Sequence, residues 1–324
     1  MYNNAGQRQG AAPALARTRH GLPVAAPFRL DLTVSALRRL PTNVVDVLTP
    51  EGHYLRAYAG SHGPIIARAE QLRADELDIT IESDARDAGE HARVLALVGR
   101  TLGVDRDLTH FGRAAAEVPW LEPLARRLRG IKPPRYPTLW EAFINAVVFQ
   151  QVSLHAASAI VGRLIVAFGI PLESDGTSIF LFPDAERVLD VPVEELRAVG
   201  LSASKVSTLR AAGEAILSDN LDAAMLEGLP SAEAADRLQQ IKGVGPWTAT
   251  VILLRGFGRL DAFPMNDSGV ARNFALVAGD AQIDISHVLA TLGPQKGMLY
   301  YHLLLARLEE RGEIGSASVP ARVM

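Results

Sequence analysis

The chain has 324 residues and no cysteine, which excludes disulfides and any cysteine-ligated iron-sulfur cluster. A net charge of −3 and a pI near 6.3 argue against a non-specific nucleic-acid coat protein, though not against recognition through backbone amides. There is no apolar run of about 18 residues, so no membrane helix is expected, and the eight histidines show no metal-ligand spacing.

Residues 1–26 mix Gly, Gln, Ala and Arg without a continuous hydrophobic stretch. They are expected to form a flexible tail rather than a secretory signal, in a cytoplasmic protein. From Phe28 to Ser83 the segments FRLDLT, NVVDVLT, GHYLRAYA, PIIARA and LDITIES alternate or cluster β-formers, with turn residues between them. A short helix over Ser35 to Leu40 also fits. Asp87 to Leu102 reads as a long amphipathic helix. The expectation for 27–109 is an α+β domain, a small antiparallel sheet with helices on one face. From about Asp107 onward only helical periodicity is found, so 110–312 is expected to be all-helical, with a second flexible tail over 313–324. Arg126, Arg127, Arg129, Lys132 and Arg135 follow one another without an acidic residue, either a solvated face or a phosphate contact.

Residues Leu238 to Asp267 read LQQIKGVGPWTATVILLRGFGRLDAFPMND. Glycines at 243 and 245 permit a tight turn with uncovered amides, and Pro246 suits a first helical turn, where its missing N–H costs nothing. Trp247 to Arg255 carries apolar residues at helical spacing and stops at Gly256, while Ala232 to Ile241 reads as the preceding helix. A glycine turn at a helix N-terminus can grip phosphate through amides and the helix dipole, although an ordinary αα-corner looks the same locally. Asp267 stands ahead of a further apolar helix, Val270 to Val277, in a position suited to N-capping. The two roles are compatible, because the helix dipole favours the carboxylate as an anion, fit to face a developing positive charge.

The hairpin, the downstream Pro264 and Asp267 together resemble the helix-hairpin-helix family of DNA glycosylases. The alkylated-base branch, DNA-3-methyladenine glycosylase II, is the nearest within it. The resemblance extends to YPTLWEAFINAVVFQQVSLHAASAIVGRLIVAFG, Tyr136 to Gly169, and to VGLSASKVSTLRAAGEAI, Val199 to Ile216. It is strong over about 110 to 310 and weak over 27 to 109. It implies a helical helix-hairpin-helix glycosylase domain after the α+β one, and a partner in double-stranded DNA containing damaged bases. The protein is expected to be a monomer in a bacterial nucleoid.

Breaking the base–sugar bond builds oxocarbenium character on the sugar, so a fixed carboxylate lowers the barrier electrostatically. Asp267 is the candidate. Relatives that also cut the strand carry a lysine nucleophile where this chain has Trp247, which implies a monofunctional hydrolase without lyase activity. The resemblance implies a gap-filling wedge at Gln150 and Gln151, with a polar amide where the enterobacterial member has leucine. Backbone contacts to phosphate are expected from Gly243, Val244, Gly245 and Thr248, and side-chain contacts from Lys242 and Arg272. A cationic alkylated base favours an aromatic pocket, a cation–π contact being worth roughly 1 to 2 kcal/mol when desolvated. Trp247, Phe143 and Tyr300 are the pocket candidates, with Trp140 and Tyr301 as further aromatics. The chain departs from the family at Val251, near Gln295 and at Ser268, leaving the cleft less aromatic. No cofactor is required, although the carbonyls of Gln239, Ile241 and Gly243 are family positions for a Na⁺ or K⁺. Two rival readings remain: a non-catalytic DNA-structure-binding protein, and a glycosylase for deaminated bases such as hypoxanthine or uracil. The latter needs a hydrogen-bond donor in the pocket, which the sequence does not place.

Overall fold

A computed structural model describes residues 16–315 apart from 85, 86, 266 and 280–282. The N-terminal half is a five-stranded antiparallel sheet built from β1 (Ala16–Pro23), β2 (Val47–Leu48), β3 (Tyr54–Gly60), β4 (Gly63–Glu70) and β5 (Glu76–Ser83) in the order β1-β5-β4-β3-β2. Helix α1 (Leu30–Arg38) and α2 (Ala88–Leu102) accompany it, the latter capped by the Asp87 carboxylate on the amides of Gly89 and Glu90. The helical half begins with α3 (Thr109–Ala116), α4 (Glu122–Arg127), α5 (Leu139–Val148) and α6 (Leu154–Phe168). After a two-stranded hairpin, β6 (Ile170–Ser174) and β7 (Thr177–Leu181), come α7 (Ala185–Asp190), α8 (Val193–Ala198), α9 (Ala203–Leu217), α10 (Ala223–Gly228) and α11 (Ser231–Gln239). The chain ends in α12 (Pro246–Gly256), α13 (Ser268–Ala278), α14 (Ile285–Leu292) and α15 (Met298–Glu310). None of the described helices is long and apolar enough to cross a membrane.

The architecture agrees with the expected fold class, with three local corrections. Ala16–Pro23, expected within a tail, forms β1 and pairs along β5 from Ala16 opposite Ser83 to Pro23 opposite Glu76. Residues 1–15 and 316–324 of the expected tails lie outside the described residues. The segment FRLDLT does not form a strand. Leu30, Val34 and Leu37 recur at helical spacing, and Leu32, Thr33 and Ala36 are buried as well, so the helix is enclosed on nearly all sides and period-2 alternation does not distinguish it. The helical half also contains β6 and β7, joined by Asp175 and Gly176 at φ 46° and 74°. An Asp-Gly pair between β-formers is a strong hairpin signal.

That hairpin covers the open face of the sheet, where Ile179 packs with Leu55, Ala57 and Ile66. The Phe180 N–H donates to the Val44 carbonyl at 2.8 Å. The main hydrophobic core runs from Val24 in the first half to Leu308 in the last helix. Polar ties cross the same boundary: Arg255 Nη2 donates to the carbonyls of Ala36 and Leu37, and the Lys132 amide donates to Thr33 Oγ1. The sheet is thereby fixed against the helices that carry the site.

His302 on α15 is enclosed in this core, its ring centroid 4.7 Å from that of Phe111 and its Nδ1–H donating to the Met298 carbonyl. Burial depresses its pKa from 6.5 to about 4. Between these values the unfolded chain takes up a proton that the folded one refuses, so stability falls as pH drops through that window. Urea unfolding should show a loss of about 3 kcal/mol from this group between pH 7 and pH 4. The loss should be absent in His302→Leu, and an unchanged pH dependence in that variant would contradict it.

Candidate active site and nucleic-acid interface

The hairpin between α11 and α12 is built by glycine. Gly243 adopts φ +90°, and a Cβ there would lie 1.9 Å from Thr208 Oγ1 on α9, so both backbone conformation and close helix approach exclude a side chain. Gly245 is the extended N-cap of α12 and Pro246 occupies its first turn, leaving the helix start without a side-chain cap. Lys242 and Gly243 are exposed, Gly245 is half-buried and Val244 is buried. The Val244 side chain belongs to the core, and its N–H is spent on the Ile241 carbonyl at 3.0 Å. The uncapped amides and the positive end of the helix dipole form an anion-attracting rim.

Asp267 caps α13, with Oδ1 accepting from the amides of Gly269 at 2.7 Å and Val270 at 2.9 Å. Its Oδ2 accepts from Trp247 Nε1 at 2.8 Å. Three N–H donors thus fix both oxygens of a half-buried carboxylate, and the indole ties the start of α12 to the start of α13. Trp247 itself is half-buried. An indole cannot form a Schiff base.

The turn between α5 and α6 is braced against this hairpin. Gln150 Nε2 donates to the Gly243 carbonyl at 3.0 Å and to Thr248 Oγ1 at 2.7 Å. Gln151 follows in the left-handed region at φ 55°, exposed together with Val152 at the tip. Lys205, which sequence reasoning missed, reaches across from α9 and donates through Nζ to the carbonyls of Val148 and Gln150 at 2.8 and 3.0 Å. It satisfies the free C-terminal carbonyls of α5, and burial lowers its pKa. Nothing in its local spacing announces this. Its segment was legible only as a helix start.

The other expected site residues separate by burial. Tyr300 is half-buried, edge-on to Tyr301 with centroids 5.5 Å apart. Phe143 is fully buried within α5 and is a core residue, not a pocket wall. Trp140 and Tyr301 are likewise core residues, their polar atoms spent on the Pro183 carbonyl and on those of Pro134 and Leu254. Thr248 is only 2% exposed, and its hydroxyl serves Gln150 rather than a phosphate. Arg272 is exposed on α13. The basic cluster is structural in part: Lys132 is buried with Nζ on the Arg106 carbonyl, and Arg135 donates to the carbonyls of Arg100 and Phe257. Arg126 and Arg127 pair with Glu122 and Glu309.

Of the three carbonyls considered for Na⁺ or K⁺, Gly243's accepts from the Gln150 amide at 3.0 Å and Ile241's from the Val244 N–H at 3.0 Å, each with a second lone pair left over.

Residues 144–288 match the family model described as HhH-GPD superfamily base excision DNA repair protein. The chain is 29% identical over 174 residues to a DNA-3-methyladenine glycosylase of Bacillus subtilis, covering 54% of this chain and 57% of that protein. It is 35% identical over 172 residues to a probable bifunctional transcriptional activator/DNA repair enzyme AlkA of Mycobacterium tuberculosis, covering 53% and 34%. The chain therefore spans about a third to somewhat over half the length of these relatives. In overall fold it is similar to a 3-methyladenine DNA-glycosylase from Archaeoglobus fulgidus, with a TM-score of 0.74 at 22% identity, over 89% of this chain and 98% of that one. Its hairpin, Trp247 and Asp267 all lie within the matched residues. Through them the chain carries a region that matches the HhH-GPD superfamily of base excision DNA repair proteins.

Proposed function

We propose that the protein is a monofunctional DNA glycosylase that hydrolyses the N-glycosidic bond of alkylated purines, such as 3-methyladenine and 7-methylguanine, in duplex DNA. The observation that carries the reading is the Asp267 carboxylate, held by three N–H donors beside the hairpin. Relatives named for 3-methyladenine excision support the substrate class. The hairpin amides and Lys242 hold the phosphates, the exposed Gln151 and Val152 enter the gap left by the extruded base, and Asp267 faces the sugar as positive charge develops on it. An alkylated purine leaves as a neutral base and needs little general-acid help, so water completes the hydrolysis. The protein acts at the nucleoid, as a monomer and without a cofactor.

With Trp247 in place of an amine nucleophile, treated DNA should remain intact until alkali or heat cleaves the abasic sites. Strand breaks formed by the protein before alkali would contradict the monofunctional mechanism. Trp247→Phe keeps an aromatic ring but removes the Nε1 donor from Asp267. The single-turnover rate of base release should fall about tenfold with DNA affinity unchanged, the equivalent of a charge-assisted hydrogen bond at the lower end of its usual range. An unchanged rate would mean that the indole only fills space.

A further inference from the structure

Lys205 stands where a lysine is costly. It is the third residue of α9, so its charge opposes the positive end of the helix dipole, and it is half-buried. Burial lowers its pKa, and no neighbouring carboxylate restores it. The Ser202 hydroxyl caps the helix below it, accepting from the Lys205 N–H at 3.3 Å. What offsets the cost lies on another helix. Nζ donates to the carbonyls of Val148 at 2.8 Å and Gln150 at 3.0 Å, at the negative end of α5.

The two carbonyls control different things. The amides of Phe149 and Gln150 engage the carbonyls of Asn145 and Val147 at 3.4 and 3.2 Å, so the Val148 oxygen is a helix end that Lys205 closes. The Gln150 oxygen belongs to the rigid peptide plane that joins Gln150 to Gln151. Gln151 leaves that plane at φ 55°, a conformation disfavoured for a residue with a side chain. Gripping the oxygen fixes the plane, and with it the direction in which the exposed Gln151 and Val152 project. Gln150 is thus held twice, by its side chain on Gly243 and Thr248 and by its backbone on Lys205. Thr208, on the same face of α9 as Lys205, lies so close to Gly243 that a Cβ there would meet its hydroxyl at 1.9 Å. One helix face therefore sets the tip of the turn against the hairpin.

We propose that Lys205 is a positioning residue for base extrusion, holding the Gln151–Val152 tip in its inserting conformation before DNA binds. This rests on the glycosylase reading above, in which that tip fills the gap left by the base. Displacing a stacked and paired base costs free energy that the inserted tip must offset, and a tip free to swing loses part of its contribution in being ordered. A base already outside the stack needs no such displacement. Loss of Lys205 is therefore felt on a paired lesion and not on an unpaired one. Bond cleavage itself is untouched, because Asp267 is fixed by Trp247 and by the amides of α13, contacts in which Lys205 takes no part.

The test uses full-length wild type, Lys205→Met and Lys205→Gln on two defined duplexes, one with 7-methylguanine paired to cytosine and one with it unpaired in a single-nucleotide bulge. Each carries the fluorescent base 2-aminopurine beside the lesion. Single-turnover release of 7-methylguanine reads the whole reaction, and the rise in fluorescence as the neighbouring base leaves the stack reads extrusion alone. Lys205→Met should lower release from the paired duplex at least about tenfold, the scale of one lost charge-assisted hydrogen bond. It should slow the fluorescence rise by a similar factor and change release from the bulge less than about threefold. Lys205→Gln, too short to reach both carbonyls, should behave alike and decides the question if the Met variant does not fold, which thermal unfolding midpoints check. Equal losses on the two duplexes would make Lys205 a general brace of the fold and overturn the proposal, as would undiminished release and fluorescence on the paired one. Wild type that raises the fluorescence without releasing the base refutes the glycosylase reading alone, and the fluorescence of the variants then decides the role of Lys205. Wild type that does neither refutes both.

Discussion

Asp267→Asn should lower the single-turnover rate of base release by about a thousandfold or more, since it removes a full charge from a site where fixing even one dipole is worth about 10²–10³. The substitution is a clean probe because asparagine caps helices as well as aspartate does. Its one carbonyl oxygen can still accept from the Gly269 and Val270 amides, so α13 keeps its start. Its amide nitrogen, however, meets the Trp247 Nε1–H donor to donor, where Oδ2 now accepts at 2.8 Å. The folding cost should therefore be only about 1–2 kcal/mol. Affinity for duplex DNA, measured by gel retardation, should stay within about threefold, because phosphate contacts come from the hairpin amides rather than from the carboxylate. Excision at more than a tenth of the wild-type rate would remove Asp267 from the chemistry.

Arg56→Ala should cost about 3–5 kcal/mol of folding stability, the usual effect of removing one partner from a buried ion pair. Arg56 is 1% exposed and joins the two halves of the molecule, with Nη1 on Asp46 Oδ1 and Nη2 on Glu141 Oε2, both at 2.5 Å. The Tyr54 hydroxyl donates to the same Asp46 oxygen at 2.9 Å. Without the guanidinium, two buried carboxylates face each other, and burial already raises the Glu141 pKa with Arg56 present. Set against the 5–15 kcal/mol of a typical fold, the loss is a large fraction. It should also be smaller at pH 5 than at pH 7, since a carboxyl whose folded pKa is raised holds its proton in the folded state and favours folding at lower pH. Urea unfolding at the two pH values measures both effects, and a deficit under about 1 kcal/mol at pH 7 would contradict the assignment.

Much of the framework was legible in local pattern. β3 to β5 follow from alternating or clustered β-formers between Tyr54 and Ser83, and α2 follows from an Asp87 cap before an amphipathic run. The hairpin was legible because only glycine fits Gly243, and Asp267 because an acidic cap before an apolar helix has a physical signature. The misses have equally specific causes. Ala16–Pro23 has little β-propensity of its own and becomes a strand through its pairing with β5. The Asp175-Gly176 turn was a readable signal submerged in a long helical stretch. The contacts that assemble the site join residues distant in sequence. Gln150 and Gly243 are 93 residues apart, and Lys205 and Gln150 are 55 apart. Burial also demoted Phe143 and Thr248 from the site, since aromatic and hydroxyl residues at helical spacing look alike in sequence whether they face a cleft or the core.

The most direct test of the central claim is chromatography of free bases released from methylated duplex DNA by the full-length protein. The account predicts free 3-methyladenine and 7-methylguanine, with alkali-labile sites left in otherwise intact strands. DNA binding without release of either base would contradict it, and would identify a DNA-binding protein that keeps the hairpin without the chemistry.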